Sequence, residues 1–291
     1  MAQRKGIILA GGSGTRLFPI THSVSKQLLP IYDKPMIYYP LTVLMLANIR
    51  EVAIITTPED QLQFQRLLSD GSQWGMEFTY IVQQQPEGLA QAYLLAEEFL
   101  AGAPSAMILG DNIFFGHGLP ELLHDASYNE TGGTVFAYQV SDPGRYGVVD
   151  FDENGTVKSI VEKPEHPASN FAVTGLYFLD GNASKLAAKV EKSHRGELEI
   201  TSLLELYLDK GELTLQRMGR GYAWLDTGTH DSLLEASEFV RTVEKRQGLK
   251  IGCPEEIAFR KDWISKADME QVIATLRKTE YGQYLERLVS A

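Results

Sequence analysis

The chain has 291 residues, 44% of them hydrophobic and 22% charged, with 38 acidic against 27 basic side chains and a formal net charge of -11. That composition suits a soluble globular protein with a large core, as one large α/β domain or two smaller ones, and argues against a basic nucleic-acid-binding face. No apolar run approaches the ~20 residues of a membrane span, and the single cysteine, Cys253, excludes an internal disulfide and makes a zinc–thiolate site implausible. The N-terminus enters a strand pattern almost at once, without a signal-like apolar segment, so the default expectation is cytoplasmic residence.

In chain order, short apolar segments alternate with amphipathic helical ones through the first half, the pattern of βαβ units and a parallel-rich sheet. Strands are expected at 6–9, 51–56, 78–83 and 106–109, and helices at 36–48, 58–68, 89–99 and 119–126. Pro35 suits a first helical turn, where its missing N–H is no loss. Gly110 and Asp111 close the strand at 106–109 and place an acid at its carboxyl end, where ligands gather in open α/β sheets. The second half changes character. Segments 133–140, 146–151, 157–162 and 171–179 read as strands separated by turn residues such as Asp142-Pro-Gly144, and look like antiparallel additions to the sheet. A helix at 201–210 and strands at 213–217 and 222–225 follow. Next comes an amphipathic helix at 231–246 with Leu233, Leu234, Ala236, Phe239, Val240 and Val243 on its apolar side. The rest reads as mainly helical, with Pro254 opening a helix. The expected fold is α/β: a Rossmann-like mixed, mostly parallel central sheet flanked by helices, with antiparallel additions. The expected division is a core at 1–240 and a helical C-terminal extension at 241–291.

The most informative stretch is Gly6-Ile-Ile-Leu-Ala-Gly-Gly-Ser-Gly-Thr-Arg16, followed ten residues later by Lys26. An apolar strand runs straight into glycines that let backbone N–H groups approach an anion, and Arg16 and Lys26 add fixed positive charge. It reads as a phosphate cradle. A dinucleotide fingerprint fits poorly, because Leu17 stands where the third glycine or alanine belongs, and no window supplies a Walker A loop. In an acidic chain, long-range steering would repel phosphates, so the site must concentrate its own positive charge.

Two acids, Asp111 and Asp226, each stand at the end of an apolar strand. Singly, each could cap a turn; converging on one point, they make a hard-oxygen site suited to Mg²⁺. The six histidines (His22, His117, His124, His166, His194 and His230) are scattered without metal-ligand spacing, and no Ser-His-Asp or Cys-His arrangement stands out.

Gly11-Gly-Ser-Gly-Thr-Arg16 with Ser25-Lys-Gln-Leu-Leu-Pro30 resembles the signature of the sugar-1-phosphate nucleotidyltransferases, and more closely their thymidylyl-transferring branch. Supporting blocks run in order along essentially the whole chain. They are Asp33-Lys-Pro-Met-Ile-Tyr-Tyr-Pro40, Gly88-Leu-Ala-Gln-Ala92, Leu109-Gly-Asp-Asn112, Arg145-Tyr-Gly-Val-Val149, Glu162-Lys-Pro164, Val173-Thr-Gly-Leu-Tyr177, Gly196-Glu-Leu-Glu-Ile-Thr201 and Gly219-Arg-Gly-Tyr-Ala-Trp-Leu-Asp-Thr-Gly228.

The resemblance implies a Mg²⁺-dependent enzyme that joins dTTP and glucose 1-phosphate by a single in-line displacement, giving dTDP-glucose, a precursor of dTDP-rhamnose and related deoxysugars, and pyrophosphate. It implies nucleotide contacts from Leu9, Gly11, Gly12, Ser13, Gly14, Thr15, Arg16, Lys26, Gln27, Gln83, Gly88 and Asp111. Gln83 would pair its amide with the thymine edge, an edge that uracil shares, and Gln27 would lie near the ribose. Sugar-phosphate contacts would come from Asn112, Gly147, Glu162, Lys163, Val173 and Asp226. Arg16, Lys26, Lys163 and Asp111 would carry the chemistry, and Asp111 and Asp226 the metal. It further implies a homotetramer and a dTDP-rhamnose feedback site including Arg220, Glu256 and Arg260. Any one of these cations could instead be a solvated surface residue, and Glu162 a strand-end surface acid. A uridylyltransferase on the same scaffold is the alternative within enzymes. A non-catalytic nucleotide-sugar sensor should have lost Asp111, Asp226, Arg16 or Lys163, and all four are present.

Overall fold

The structure is a computed structural model and describes residues 3–12 and 14–290; Ser13, an expected nucleotide contact, lies outside the described residues. β1 (Lys5–Leu9) leads into the glycine loop and then, through the hairpin β2 (Pro30–Ile31) and β3 (Lys34–Pro35), into α1 (Tyr38–Leu46). β4 (Glu51–Thr56), α2 (Gln61–Leu68) and β5 (Glu77–Val82) follow, then α3 (Gln91–Leu95) and α4 (Glu97–Leu100). Next come β6 (Ser105–Leu109), β7 (Asn112–Gly116), α5 (Leu119–Tyr128), β8 (Gly133–Gln139), β9 (Gly147–Phe151), β10 (Val157–Glu162) and β11 (Phe171–Leu179). The chain continues through α6 (Ala183–Ala187), α7 (Ile200–Leu208), β12 (Leu213–Met218) and β13 (Tyr222–Asp226). It ends in α8 (His230–Gln247), α9 (Pro254–Arg260), α10 (Lys266–Leu276) and α11 (Glu280–Ser290).

Among the described residues one nine-stranded sheet runs β10-β9-β11-β6-β1-β4-β5, with β8 paired to β11 and β12 to β8. β6, β1, β4 and β5 are mutually parallel. β11 turns the sheet antiparallel against β6, β8 and β9, as the turn-rich second half implies. β12 joins β8 in parallel. Alternation along the central strands sends side chains to two cores. Ile8, Ala106 and Ile108 face the layer holding Leu41, Phe64 and Leu123 together with the C-terminal helices. Ile7, Leu9 and Met107 face Tyr93, Leu186, Leu203 and Tyr207. No helix among the described residues is long and apolar enough to cross a membrane.

Three local expectations change. Pro35 lies in β3, and the helix begins only at Tyr38, because the N–H groups of Met36 and Ile37 donate back to the carbonyls of Leu29 and Gln27, both at 2.9 Å. The helix expected at 89–99 is two short ones, broken at Ala96; its first residues are drawn off by the Ala90 N–H donating to the Leu198 carbonyl at 3.0 Å. Directly after Asp111, β7 forms an unexpected strand that pairs with β13 in a separate two-stranded sheet. α8 runs unbroken through position 240, so the expected division between core and extension falls inside a helix.

A buried ionic cluster joins α8 to the β2–β3 hairpin. Glu244 accepts from Lys34 at 2.9 Å, from Lys250 at 2.7 Å and from the Ile251 N–H at 2.9 Å. Asp33 pairs with the same two lysines. The Lys34 and Glu244 side chains are only 2% and 4% exposed, so neither charge can turn to water if the other is removed. We expect Glu244→Ala to cost about 3–5 kcal/mol of stability, read as a lower urea midpoint at unchanged slope.

Candidate active site

Parallel strands point their carboxyl ends the same way, so the segments that leave β1, β5 and β6 meet at one rim of the sheet. The Gln83 N–H still donates to Thr56 at 2.8 Å, and the Gly110 N–H to Leu9 at 2.9 Å, carrying the ladder one residue beyond the strands before the chains diverge. The rim opens into a cavity of about 580 Å³ lined by Leu9, Gly11, Gly12, Gly14, Thr15, Arg16, Lys26, Gln27, Gln83, Gly88 and Asp111. Every expected nucleotide contact that the structure describes therefore lies on one cavity. Pro86, Leu89, Glu197 and Gly228 complete its wall, together with the buried Leu17.

The glycines have separate reasons. Gly12 and Gly14 hold φ of +109° and +57°, conformations that bend the loop back and suit glycine. A Cβ on Gly11 would stand 2.1 Å from Gln83 Oε1, so this glycine admits the glutamine amide to the cavity wall. A Cβ on Gly88 would stand 2.4 Å from the Leu198 carbonyl oxygen. Its small size is required by the backbone clamp between residues 87–90 and Leu198, beside any need of a ligand.

Asp111 and Asp226, 115 positions apart in sequence, come together because β7 and β13 pair with Asp226 opposite Asn112. The next residue, Thr227, donates its hydroxyl to the Asp111 carbonyl at 2.8 Å. Lys26 forms an ion pair with Asp111 Oδ2, while Asn112 Nδ2 donates to Oδ1 at 2.9 Å. Burial pushes the Asp226 carboxyl above its usual range and the neighbouring Asp111 charge adds to this, opposed by Lys26, Arg145 and Arg16. A Cβ on Gly228 would lie within 3.2 Å of an Asp226 oxygen and 3.6 Å of Arg16 Nη1, which places the arginine beside the acid pair. No third His, Cys, Asp or Glu joins the two acids among the described residues.

The sugar-phosphate residues divide. Gly147, Glu162 and Val173 meet around Thr201: a Cβ on Gly147 would lie 2.9 Å from Thr201 Cγ2, 3.5 Å from Glu162 Oε2 and 3.9 Å from Val173 Cβ. Lys163 follows β10 with φ of +41°, unusual for a residue with a side chain, and its ammonium lies 3.4 Å from Glu162. Asn112 opens β7. It is buried at 2% exposure, and its Oδ1 accepts from the Trp224 indole at 2.6 Å and the Gly175 N–H at 3.2 Å while its amide holds Asp111. Its side chain is enclosed and holds Asp111. Gln27 is likewise buried, its Oε1 accepting from Ser25 at 2.8 Å.

Sequence reading missed Arg195, whose Nη1 lies 3.5 Å from Glu162 and 3.4 Å from Glu199. It precedes the Gly196 block in a turn, and nothing in its spacing marks it. Gln91 was also missed, although it stands inside the Gly88-Leu-Ala-Gln-Ala92 block. Arg220 is exposed in the turn between β12 and β13, and Arg260 donates to Glu256 on α9 at 2.8 Å. Among the described residues no hydrogen bond or ion pair joins Arg220 to that pair.

Residues 5–243 match the model of the family described as nucleotidyl transferase. The chain is 62% identical over 288 residues to a glucose-1-phosphate thymidylyltransferase of Xanthomonas campestris pv. campestris, covering 99% of this chain and 98% of the relative. It is 52% identical over 285 residues to an enzyme of the same name from Mycobacterium tuberculosis, with 98% and 99% coverage. Among solved structures, one described as a Bacillus anthracis glucose-1-phosphate thymidylyltransferase in complex with sucrose superposes with a TM-score of 0.76 at 40% identity, over 82% of this chain and 96% of that one. A UDP-glucose pyrophosphorylase holding UDP-glucose follows at 0.72 and 27% identity, over 82% and 99%. With the glycine loop, paired acids and the Gln83 amide on one rim, and with matches of this extent, the chain belongs to the nucleotidyl transferase family.

Proposed function

We propose that this enzyme transfers the thymidylyl group of dTTP to the phosphate of glucose 1-phosphate, giving dTDP-glucose and pyrophosphate. The observation that carries the reading is the convergence of glycine loop, Lys26, Gln83 and Asp111 on one cavity, with Asp226 brought against Asp111 at its edge. In the reaction a phosphate oxygen of the sugar substrate attacks the α-phosphorus of the nucleotide, and the bond from that phosphorus to the bridging oxygen of pyrophosphate breaks. The attacking oxygen is already anionic, so no side chain has to remove a proton, in keeping with the scattered histidines. What remains for the protein is positioning and charge stabilisation.

The loop amides and Arg16 hold the β- and γ-phosphates and stabilise the charge that gathers on the leaving group. Lys163 and Arg195 stand at the sugar end, where the phosphate of glucose 1-phosphate needs a counter-charge, and Glu162 accepts sugar hydroxyls. Lys26 rests on Asp111, and an incoming polyphosphate competes for its ammonium. The acid pair fits a divalent cation: two hard carboxylates, one pushed toward its neutral form by burial and then by the other's charge, already draw positive side chains around them. We assign Asp111 and Asp226 to Mg²⁺, which when bound neutralises phosphate charge and orients the reacting groups. The family resemblance extends the reading to a cytoplasmic homotetramer on the route to dTDP-rhamnose, with that product bound at a second site that includes Arg220, Glu256 and Arg260.

The deciding experiment measures pyrophosphate release with dTTP and with UTP, each against glucose 1-phosphate and other sugar phosphates. We expect dTTP with glucose 1-phosphate to give the highest kcat/KM, and a higher value for UTP would overturn the assignment. Asp111→Asn and Asp226→Asn should keep the fold and lower turnover by about 100-fold or more; near-normal Mg²⁺-dependent rates in both would refute the metal assignment. Chelation should abolish turnover, and Mg²⁺ should restore it.

Trp224→Phe removes the indole N–H that fixes Asn112, while a phenyl ring keeps contact with Tyr138 and Tyr146. It should weaken metal binding about 10-fold or more with little change in Tm, as read from Mn²⁺ titration by electron paramagnetic resonance.

A further inference from the structure

The base-side amide of Gln83 can present itself in two orientations that differ by exchange of oxygen and nitrogen, and the two read opposite base edges. We propose that Gln91 is a positioning residue that fixes this orientation and thereby makes the site select a pyrimidine imide, as in thymine or uracil, over cytosine. The inference rests on Gln83 reading the base.

The chain of donors settles each orientation in turn. A backbone N–H can only donate, and the Glu87 N–H points at the Gln91 side chain at 2.9 Å, so the atom it meets is Oε1. The other end of the Gln91 amide donates to Glu87 Oε2 at 3.4 Å, and Lys192 pairs with the same carboxylate at 2.6 Å. The Glu87 backbone is itself held, its carbonyl accepting from the Leu198 N–H at 2.6 Å. Gln91 therefore offers an oxygen to Gln83, and the Gln83 atom 2.7 Å away must be the donating nitrogen. That leaves Gln83 Oε1 against Gly11, where even a methyl group would collide with it. No donor reaches this oxygen among the described residues. Gln83 is 2% exposed and lines the cavity, so this oxygen and the second amide hydrogen are what it has left for a ligand.

An acceptor beside a donor matches an imide N–H flanked by a carbonyl. Cytosine offers the reverse pattern, a bare ring nitrogen beside an amino group, so acceptor would face acceptor and donor face donor. A buried polar edge left unpaired is what gives a site large discrimination. The C5 methyl group that thymine has and cytosine lacks is the same difference in every variant, so a change between variants in the ratio of kcat/KM for dTTP and dCTP reports edge reading.

The test compares that ratio in wild type, Gln91→Met, Gln91→Glu combined with Glu87→Gln, and Gln83→Met. Methionine at 91 keeps length but no longer accepts from Gln83, so the dTTP:dCTP ratio should fall about 10-fold or more, chiefly through KM. Glutamate keeps an acceptor oxygen but sets a second carboxylate against Glu87, so it is combined with Glu87→Gln, whose amide can donate to it; this double variant should hold the ratio near wild type. Because the ratio is internal to each preparation, partial unfolding cancels. If Gln91→Met lowers both activities equally while Gln83→Met collapses the ratio, the positioning role is wrong and base reading by Gln83 stands. If Gln83→Met also leaves the ratio unchanged, the underlying reading of Gln83 is wrong. A ratio in the Gln91→Glu, Glu87→Gln double variant as low as that of Gln91→Met also overturns the proposal, since an acceptor at 91 would then be irrelevant.

Discussion

The site depends on holding two like charges together, and the neighbourhood of Asp111 shows how that is done. Its carboxylate takes Lys26 from the loop after the glycines and Asn112 from the next position, and its main-chain carbonyl takes Thr227 from beyond β13. Asn112 in turn is held by Trp224 on β13 and Gly175 on β11. Four stretches of chain thus determine where one carboxylate sits. Burial first, and the Asp111 charge beside it second, shift the carboxyl of Asp226 upward even with Lys26, Arg145 and Arg16 nearby. A chain of net charge -11 cannot attract polyphosphates from afar. It gathers cations where they are needed and leaves the acidic surplus elsewhere.

Small residues do a second, less visible job. Gly11 and Gly175 each stand where any side chain would strike an amide: Gln83 in the first case, and Asn112 at 2.6 Å in the second. At Gly175 the pairing of β11 with β8 skips from Val173 to Tyr177, and the N–H freed from the ladder donates to Asn112 instead. The irregularity in the sheet is therefore part of the apparatus that aims Asp111, the kind of local departure found near functional sites.

The C-terminal helices belong to the same physical unit. α9 packs on α1, and the Trp74 indole, the Tyr281 hydroxyl and the Cys253 thiol surround the buried Glu255 carboxylate. Glu244 at the end of α8 and Lys250 beyond it close on Asp33 and Lys34 of the hairpin that follows the Lys26 loop. Buried ion pairs add little net stability against apolar replacements, but their geometry leaves few alternatives for how the extension and hairpin meet.

The sequence by itself determined the elements that obey local rules. Ile7, Ile8 and Leu9 had to be a strand buried on both faces, glycines at 11, 12 and 14 had to make a tight loop, and the spacing of Ala236, Val240 and Val243 had to put one face of a long helix inward. The family resemblance added the roles of Arg16, Lys26, Gln83 and the two acids, and the structure brings those on the nucleotide side onto a single cavity. Only the tertiary structure decided that Asn112 is enclosed, that Arg195 reaches Glu162, that Gln91 accepts from Gln83, and that a strand at 112–116 exists to set Asp226 opposite it. The reason is the same in each case. These depend on which distant backbone supplies a donor, an acceptor or an empty space at one point, and neither periodicity nor composition carries information about partners from 8 to 115 positions away.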